Sequence, residues 1–158
     1  YLLLALIGFR IVWGLFGTRY ARFRSFAFGP SRVLAYIRSL LRGSPQHYVG
    51  HNPAGSWVIY GLLLLGVLSG VTGYATYNEI GGDLFEELHA GVAYAMLVLV
   101  LGHVAGALVS SVLHRENLVR SMVSGYKAGE TQQGIRHAHW LTGVFLLSGA
   151  MALWLGVL

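Results

Sequence analysis

Two histidines, His89 and His103, stand fourteen positions apart in the stretch from Leu84 to Arg115, which carries no charged residue between Gly91 and Leu113. In a helix advancing ~100° and ~1.5 Å per residue, fourteen steps make nearly four whole turns. Both imidazoles therefore fall on one face, ~21 Å apart along the axis. The run is long enough and apolar enough to cross a hydrocarbon core of ~30 Å, so one ring lies near one leaflet and the other deep in the opposite half. A polar ring inside a membrane helix is costly unless something satisfies it, and such a ring reads as functional. A pair of haems, each taking one imidazole on its iron, satisfies both most economically.

The rest of the composition points the same way. Of 158 residues, 55% are hydrophobic and 11% charged, and the mean hydropathy is +0.60. That balance lies outside the usual range of soluble domains and reads as an integral membrane protein. There is no cysteine, which excludes disulfides, thiolate-held iron–sulfur clusters and covalent attachment of c-type haem. Any haem is then held non-covalently, with histidine as its ligand. The net charge of +5 does not indicate nucleic acid, because the arginines gather in two loops beside apolar segments.

The elements that must position the histidines follow in chain order. Four membrane spans are expected, at about 1–16, 56–77, 88–113 and 139–158, in one all-α membrane bundle covering residues 1–158. The first opens at Tyr1 within an apolar run, so a further helix is expected ahead of it. Arg10 sits inside this span, either lifting its charge to the interface or neutralising a buried carboxylate such as a haem propionate. Residues 18–54 carry Arg19, Arg22, Arg24, Arg32, Arg38 and Arg42 and no acid. Within them Val33, Leu34, Ile37, Leu40 and Leu41 have the spacing of a short amphipathic helix lying on the membrane surface. The second span contains Gly66 and Gly70, a G-x-x-x-G pair that suits close helix packing or the approach of a flat cofactor. An acidic connection, 78–87, precedes the histidine helix, and a second basic loop, 113–137, follows it.

Lysine and arginine collect in cytoplasmic loops. One crossing separates loop 18–54 from 78–87, and another separates 78–87 from 113–137. The two basic loops thus share the cytoplasmic face, and the acidic one lies on the outer face. His89 comes near the outer surface and His103 nearer the inner one. His47, His51, His114 and His137 fall in loops or at the water interface, where an imidazole needs no special explanation. His139 opens the last span in the order H-A-H-W and is an alternative ligand, although its depth does not match that of His103.

In this order, FRIVWGLFGTRYARF (9–23), GHNPAG (50–55), LHAG (88–91), GHVAG (102–106) and HRENLVRSMVSG (114–125) resemble the prokaryotic cytochrome b561 and nickel–iron hydrogenase B-type cytochrome family. The resemblance covers about residues 1–127. It implies a membrane bundle with two b haems, two histidine ligands from one helix and one from each of two earlier helices. The shared helix would supply His89 and His103, and the opposing ligands would precede Tyr1. Arg10, Arg115 and Arg120 are candidates for pairing with propionates. The final span falls outside the four-helix pattern.

The expected function is electron transfer across the membrane. An external partner, whether a dehydrogenase, a hydrogenase or a c-type cytochrome, exchanges electrons with quinone, and a homodimer is compatible with this role. No catalytic residue is assigned, and an electron-transfer subunit is favoured over a stand-alone enzyme. The alternatives are a quinone-reducing oxidase of a small reductant such as superoxide, and a non-redox anchor or metal carrier.

Overall fold

A computed structural model describes residues 1–44, 46–127, 129, 131–135 and 137–156 of the chain. The last two residues of the expected final span lie outside the described residues. Those described form helices α1 (Leu2–Phe16), α2 (Pro30–Leu41), α3 (Pro53–Tyr77), α4 (Asp83–His114), α5 (Leu118–Ser124) and α6 (Trp140–Trp154), with short 3-10 turns at Phe23–Ser25 and Thr131–Gln133. No strand occurs among them.

α3 and α4, of 25 and 32 residues, are each long and apolar enough to cross a membrane. At ~1.5 Å per residue they extend ~37 and ~48 Å, beyond a core of ~30 Å. α1 and α6 are apolar helices of 15 residues. Large aliphatic side chains point outward from the long pair, Leu64, Leu101 and Val98 among them. An all-round apolar helix left uncovered in this way belongs in lipid.

α3 packs against α4, α1 and α2, and α6 leans on α1. Its glycines set these distances. A Cβ at Gly66 or Gly70 would stand 2.5 Å from Ile7 Cδ1 or 2.3 Å from Leu4 Cδ2, and one at Gly61 would stand 2.9 Å from Leu99 Cδ2. The G-x-x-x-G pair therefore serves helix packing, and aliphatic side chains of α1 fill its groove. Without a hydrophobic force between helices in lipid, such close contact is what holds them together.

The helix ends follow local chemistry. Asn52 caps α3 by accepting a hydrogen bond from the Gly55 N–H at 2.7 Å, with Pro53 in the first turn. Proline suits that turn, where its missing donor has no intrahelical partner anyway. The turn into α4 passes through Glu79, Gly81 and Gly82, all at positive φ. Asp83 and Glu86 then occupy the first turn of α4, where negative charge favours the helix dipole. The acidic connection is thus shorter than 78–87.

α5 lies inside what the sequence reads as the second basic loop. Asn117 caps it by accepting from the Arg120 N–H at 2.8 Å, and Gly125 ends it at φ 75°. α2 occupies the expected amphipathic segment, but it splits the apolar set. Tyr36 is fully buried with Val33 and Leu40 half-buried beside it, whereas Leu34, Ile37 and Leu41 face outward.

Gly14 is buried, and a Cβ there would stand 2.3–2.8 Å from the Phe23 ring. Gly14→Leu is expected to destabilise the protein by ~1–3 kcal/mol through overpacking, lowering its thermal midpoint in detergent. Gly8→Ala, with nothing within 4 Å of the added carbon, leaves the midpoint unchanged.

Candidate functional site

α4 is continuous through both histidines, so the single-face register holds, with ~21 Å between the two levels. Both rings are half-buried. The surroundings differ at the two ends.

At the His89 end, α3 provides a hydroxyl and a gap. His89 Nδ1 lies 3.1 Å from Thr72 Oγ1. The Thr72 hydroxyl donates its hydrogen to the Leu68 carbonyl at 2.8 Å, and a hydroxyl has one hydrogen to give. With that hydrogen on Leu68 the hydroxyl accepts from His89, and in this tautomer Nδ1 carries the proton and Nε2 keeps its lone pair. This is the tautomer a metal ligand needs when it coordinates through Nε2, and an outer hydrogen bond of this kind orients metal-bound imidazoles. Next to Thr72, a Cβ on Gly73 would stand 3.0 Å from His89 Cε1. Glycine there makes room for the ring.

At the His103 end, a second histidine comes into play. His51, just ahead of α3, is within electrostatic reach of both His103 and Arg10. Its ring centroid lies 4.5 Å from that of the buried Phe26, and its buried Nδ1 has no hydrogen-bond partner among the described residues. Burial, and then the neighbouring Arg10 charge, hold the His51 pKa below the ordinary 6.5, so the ring is neutral at physiological pH. The Arg10 guanidinium donates to the Ala21 carbonyl at 3.2 Å and lies 5.1 Å over the Phe23 ring. Phe23, Phe26 and Tyr60 stack around it, and the Tyr60 hydroxyl donates to the Phe23 carbonyl at 3.2 Å.

The sequence reading leaves His51 among the loop histidines. Its burial depends on the 3-10 turn that delivers Phe26, about twenty-five residues earlier, and no local pattern announces it. The motif G-H-N-P supplies the available signal, since it fixes His51 immediately before a capped helix.

The remaining candidates are spread out. Arg115 closes α4 in the left-handed conformation at φ 52°, and Arg120 stands on α5; both are exposed. His139 is the N-cap of α6, also exposed, with its ring 6.3 Å from that of His137. His47, His114, Glu116 and Lys127 tie the loops at the His103 end together. His47 Nε2 lies 3.6 Å from Glu116 Oε2, the His47 and His114 rings are 6.0 Å apart, and Lys127 Nζ donates to the Tyr48 carbonyl at 2.6 Å.

These features define an all-helical membrane protein whose longest helix presents two imidazoles on one side. A family model described as prokaryotic cytochrome b561 matches residues 1–125, and the chain belongs to that family. Among similar proteins, the probable Ni/Fe-hydrogenase B-type cytochrome subunit of Azotobacter vinelandii is 28% identical over an alignment of 153 residues, covering 77% of this chain and 62% of the relative. The corresponding subunit of Bradyrhizobium diazoefficiens is 28% identical, covering 73% and 58%. The probable Ni/Fe-hydrogenase 1 B-type cytochrome subunit of Escherichia coli K12 is 25% identical, covering 75% and 63%. The chain spans about three-fifths of the length of these relatives. No solved structure matches. The family is one of b-type cytochromes, which implies haem b as the cofactor. The donor set fits that group, since the described histidines include one whose Nε2 is left free by its own hydrogen bond.

His51 makes stability depend on acid. Its folded pKa is depressed, so the unfolded chain takes up the proton first as pH falls below the ordinary histidine value. Stability is full above that value and declines as pH drops toward the folded pKa. The thermal midpoint is expected to fall from about pH 7 to about pH 5, and to fall less in His51→Gln.

Proposed function

We propose that the protein carries electrons across the bacterial inner membrane between an external redox partner and the membrane quinone pool. The partner favoured by the names of its relatives is a nickel–iron hydrogenase. A dehydrogenase or a c-type cytochrome has the same role in the other form of this reading. Two b haems serve the transfer, one on His89 and one on His103. Bound haem b supplies one-electron chemistry at iron. The chain supplies ligands, orientation and insulation.

The observation that carries this reading is the pair of half-buried imidazoles on one face of α4, the first with its tautomer set for coordination. α3 orients His89 through Thr72 and yields space through Gly73. Arg10, in the cluster with His51 and His103, places a cation where an inner propionate would need one. Arg115 and Arg120 would act from the surface, where a charge is worth less. The four apolar helices α1, α3, α4 and α6 act as the spans, with loops 18–54 and 113–137 in the cytoplasm. The shorter α1 and α6 meet the hydrocarbon thickness by local thinning or flanking polar residues.

A pyridine haemochrome measurement on the natural protein extracted from membranes tests the assignment. Two haem b per chain are expected, with low-spin spectra, and His89→Ala and His103→Ala each remove about one. If both variants keep the full haem content, the assignment fails. Thr72→Val is expected to loosen haem at the His89 level by roughly 10- to 100-fold, the usual consequence of losing an outer-shell hydrogen bond. Transfer of haem to apomyoglobin measures it, and Thr72→Ser restores retention.

A further inference from the structure

α2 carries three distinct strips, and only one of them is used by the fold. Tyr36, Val33 and Leu40 turn inward, where the Tyr36 hydroxyl bonds to Ser110 of α4 and its ring meets that of Tyr48 at 5.7 Å. Leu34, Ile37 and Leu41, spaced i, i+3, i+7, form an exposed aliphatic strip, Leu41 being 83% exposed. Ala35, Arg38, Ser39 and Arg42, spaced i, i+3, i+4, i+7, form a third. Successive helical steps of ~100° place Arg38 on the flank next to Leu34 and Leu41.

The third strip borders a cavity of about 410 Å³ lined by Ala35, Arg38, Ser39, Arg42, Ser44 and Gln46. Its lining holds two guanidiniums and three neutral hydrogen-bonding side chains, and no acid. The whole segment 18–54 has six arginines and no acid, so nothing within it neutralises the pair. Planar guanidinium forks match phosphate oxygens. A phosphate is therefore the complementary group, and the aliphatic strip beside it says what the phosphate is attached to.

We propose that this cavity binds the headgroup of an anionic phospholipid, with Arg38 and Arg42 on the phosphodiester and the acyl chains lying along Leu34, Ile37 and Leu41. A polar glycerol headgroup meets Ser39, Ser44 and Gln46. The two strips are adjacent in the way a lipid needs, charge at the interface and hydrocarbon below it. The inward strip fixes the orientation, because Tyr36 holds α2 toward Ser110 of α4 and the Tyr48 ring. This site stands apart from the haem reading and uses none of its residues.

The test is retention of fluorescent phosphatidylglycerol by the natural protein in neutral detergent, with fluorescent phosphatidylcholine alongside. Each basic residue near an anionic surface is worth about fivefold. Arg38→Gln with Arg42→Gln is expected to weaken phosphatidylglycerol retention about 20-fold and leave phosphatidylcholine unchanged. Arg24→Gln with Arg32→Gln, of equal charge change but outside the cavity lining, leaves both unchanged. Haem content and thermal midpoint, read on every variant, report folding independently. Should the Arg38/Arg42 variant lose them, competition on the wild type decides. Short-chain phosphatidylglycerol displaces the probe and glycerol 3-phosphate does not. Displacement by glycerol 3-phosphate at equal concentration would mean a soluble phosphate ligand and would overturn the lipid assignment. Equal retention of the two lipids, or equal losses from both arginine pairs, would overturn the site.

Discussion

In hydrocarbon a helix has already satisfied its own backbone, and its aliphatic side chains gain little by leaving lipid for each other. What holds this protein is close contact at the glycines of α3 and the few polar contacts that such proximity permits. Gly61, Gly66 and Gly70 let Leu99, Ile7 and Leu4 come where a methyl group would stand. Toward α4 it is Gly61, against Leu99, that allows the close approach, and the antiparallel register brings Thr72 opposite His89 and Gly73 beneath the imidazole. The orientation of a ring that has to be satisfied inside a membrane thus depends on helix packing about three turns away.

The electrostatics at the two ends of α4 differ accordingly. His89 meets a neutral hydroxyl whose own proton is already committed, which selects one tautomer without introducing charge. His103 lies toward a basic and aromatic cluster, with Arg10 held by Phe23 and the Ala21 carbonyl, and His51 kept neutral by burial and by that arginine. A positive neighbourhood favours the reduced, less charged state of a nearby redox centre. The two ends of α4 therefore offer environments that are not equivalent.

How much of this could be read from the sequence varied with the range of the interactions involved. The shared face of His89 and His103 follows from helical periodicity alone, and α4 keeps that periodicity without a break. The amphipathic segment at 33–41 was equally legible, because its spacing is local. Its division into a buried and an outward strip was not, since it turns on Tyr36 finding Ser110 some seventy residues later. α5 has visible signals, Asn117 and Gly125 at its two ends, but with seven residues it is too short to show a helical period of its own. His51 and Thr72 were hidden for a common reason. Each acquires its role from a residue on another element, and only the packed register brings the two together.

The loops at the His103 end of the bundle are fastened in one recurring manner. Arg10, Trp57, Tyr60, Tyr20 and Lys127 donate from their side chains to the carbonyl oxygens of Ala21, Phe28, Phe23, Gln133 and Tyr48. A main-chain oxygen is present whatever residue carries it. The five donors are thereby constrained in type, while the hydrogen bond itself asks nothing of the side chains at the receiving positions. Those surfaces are free to drift in sequence and acquire new docking preferences, with the framework beneath them left intact.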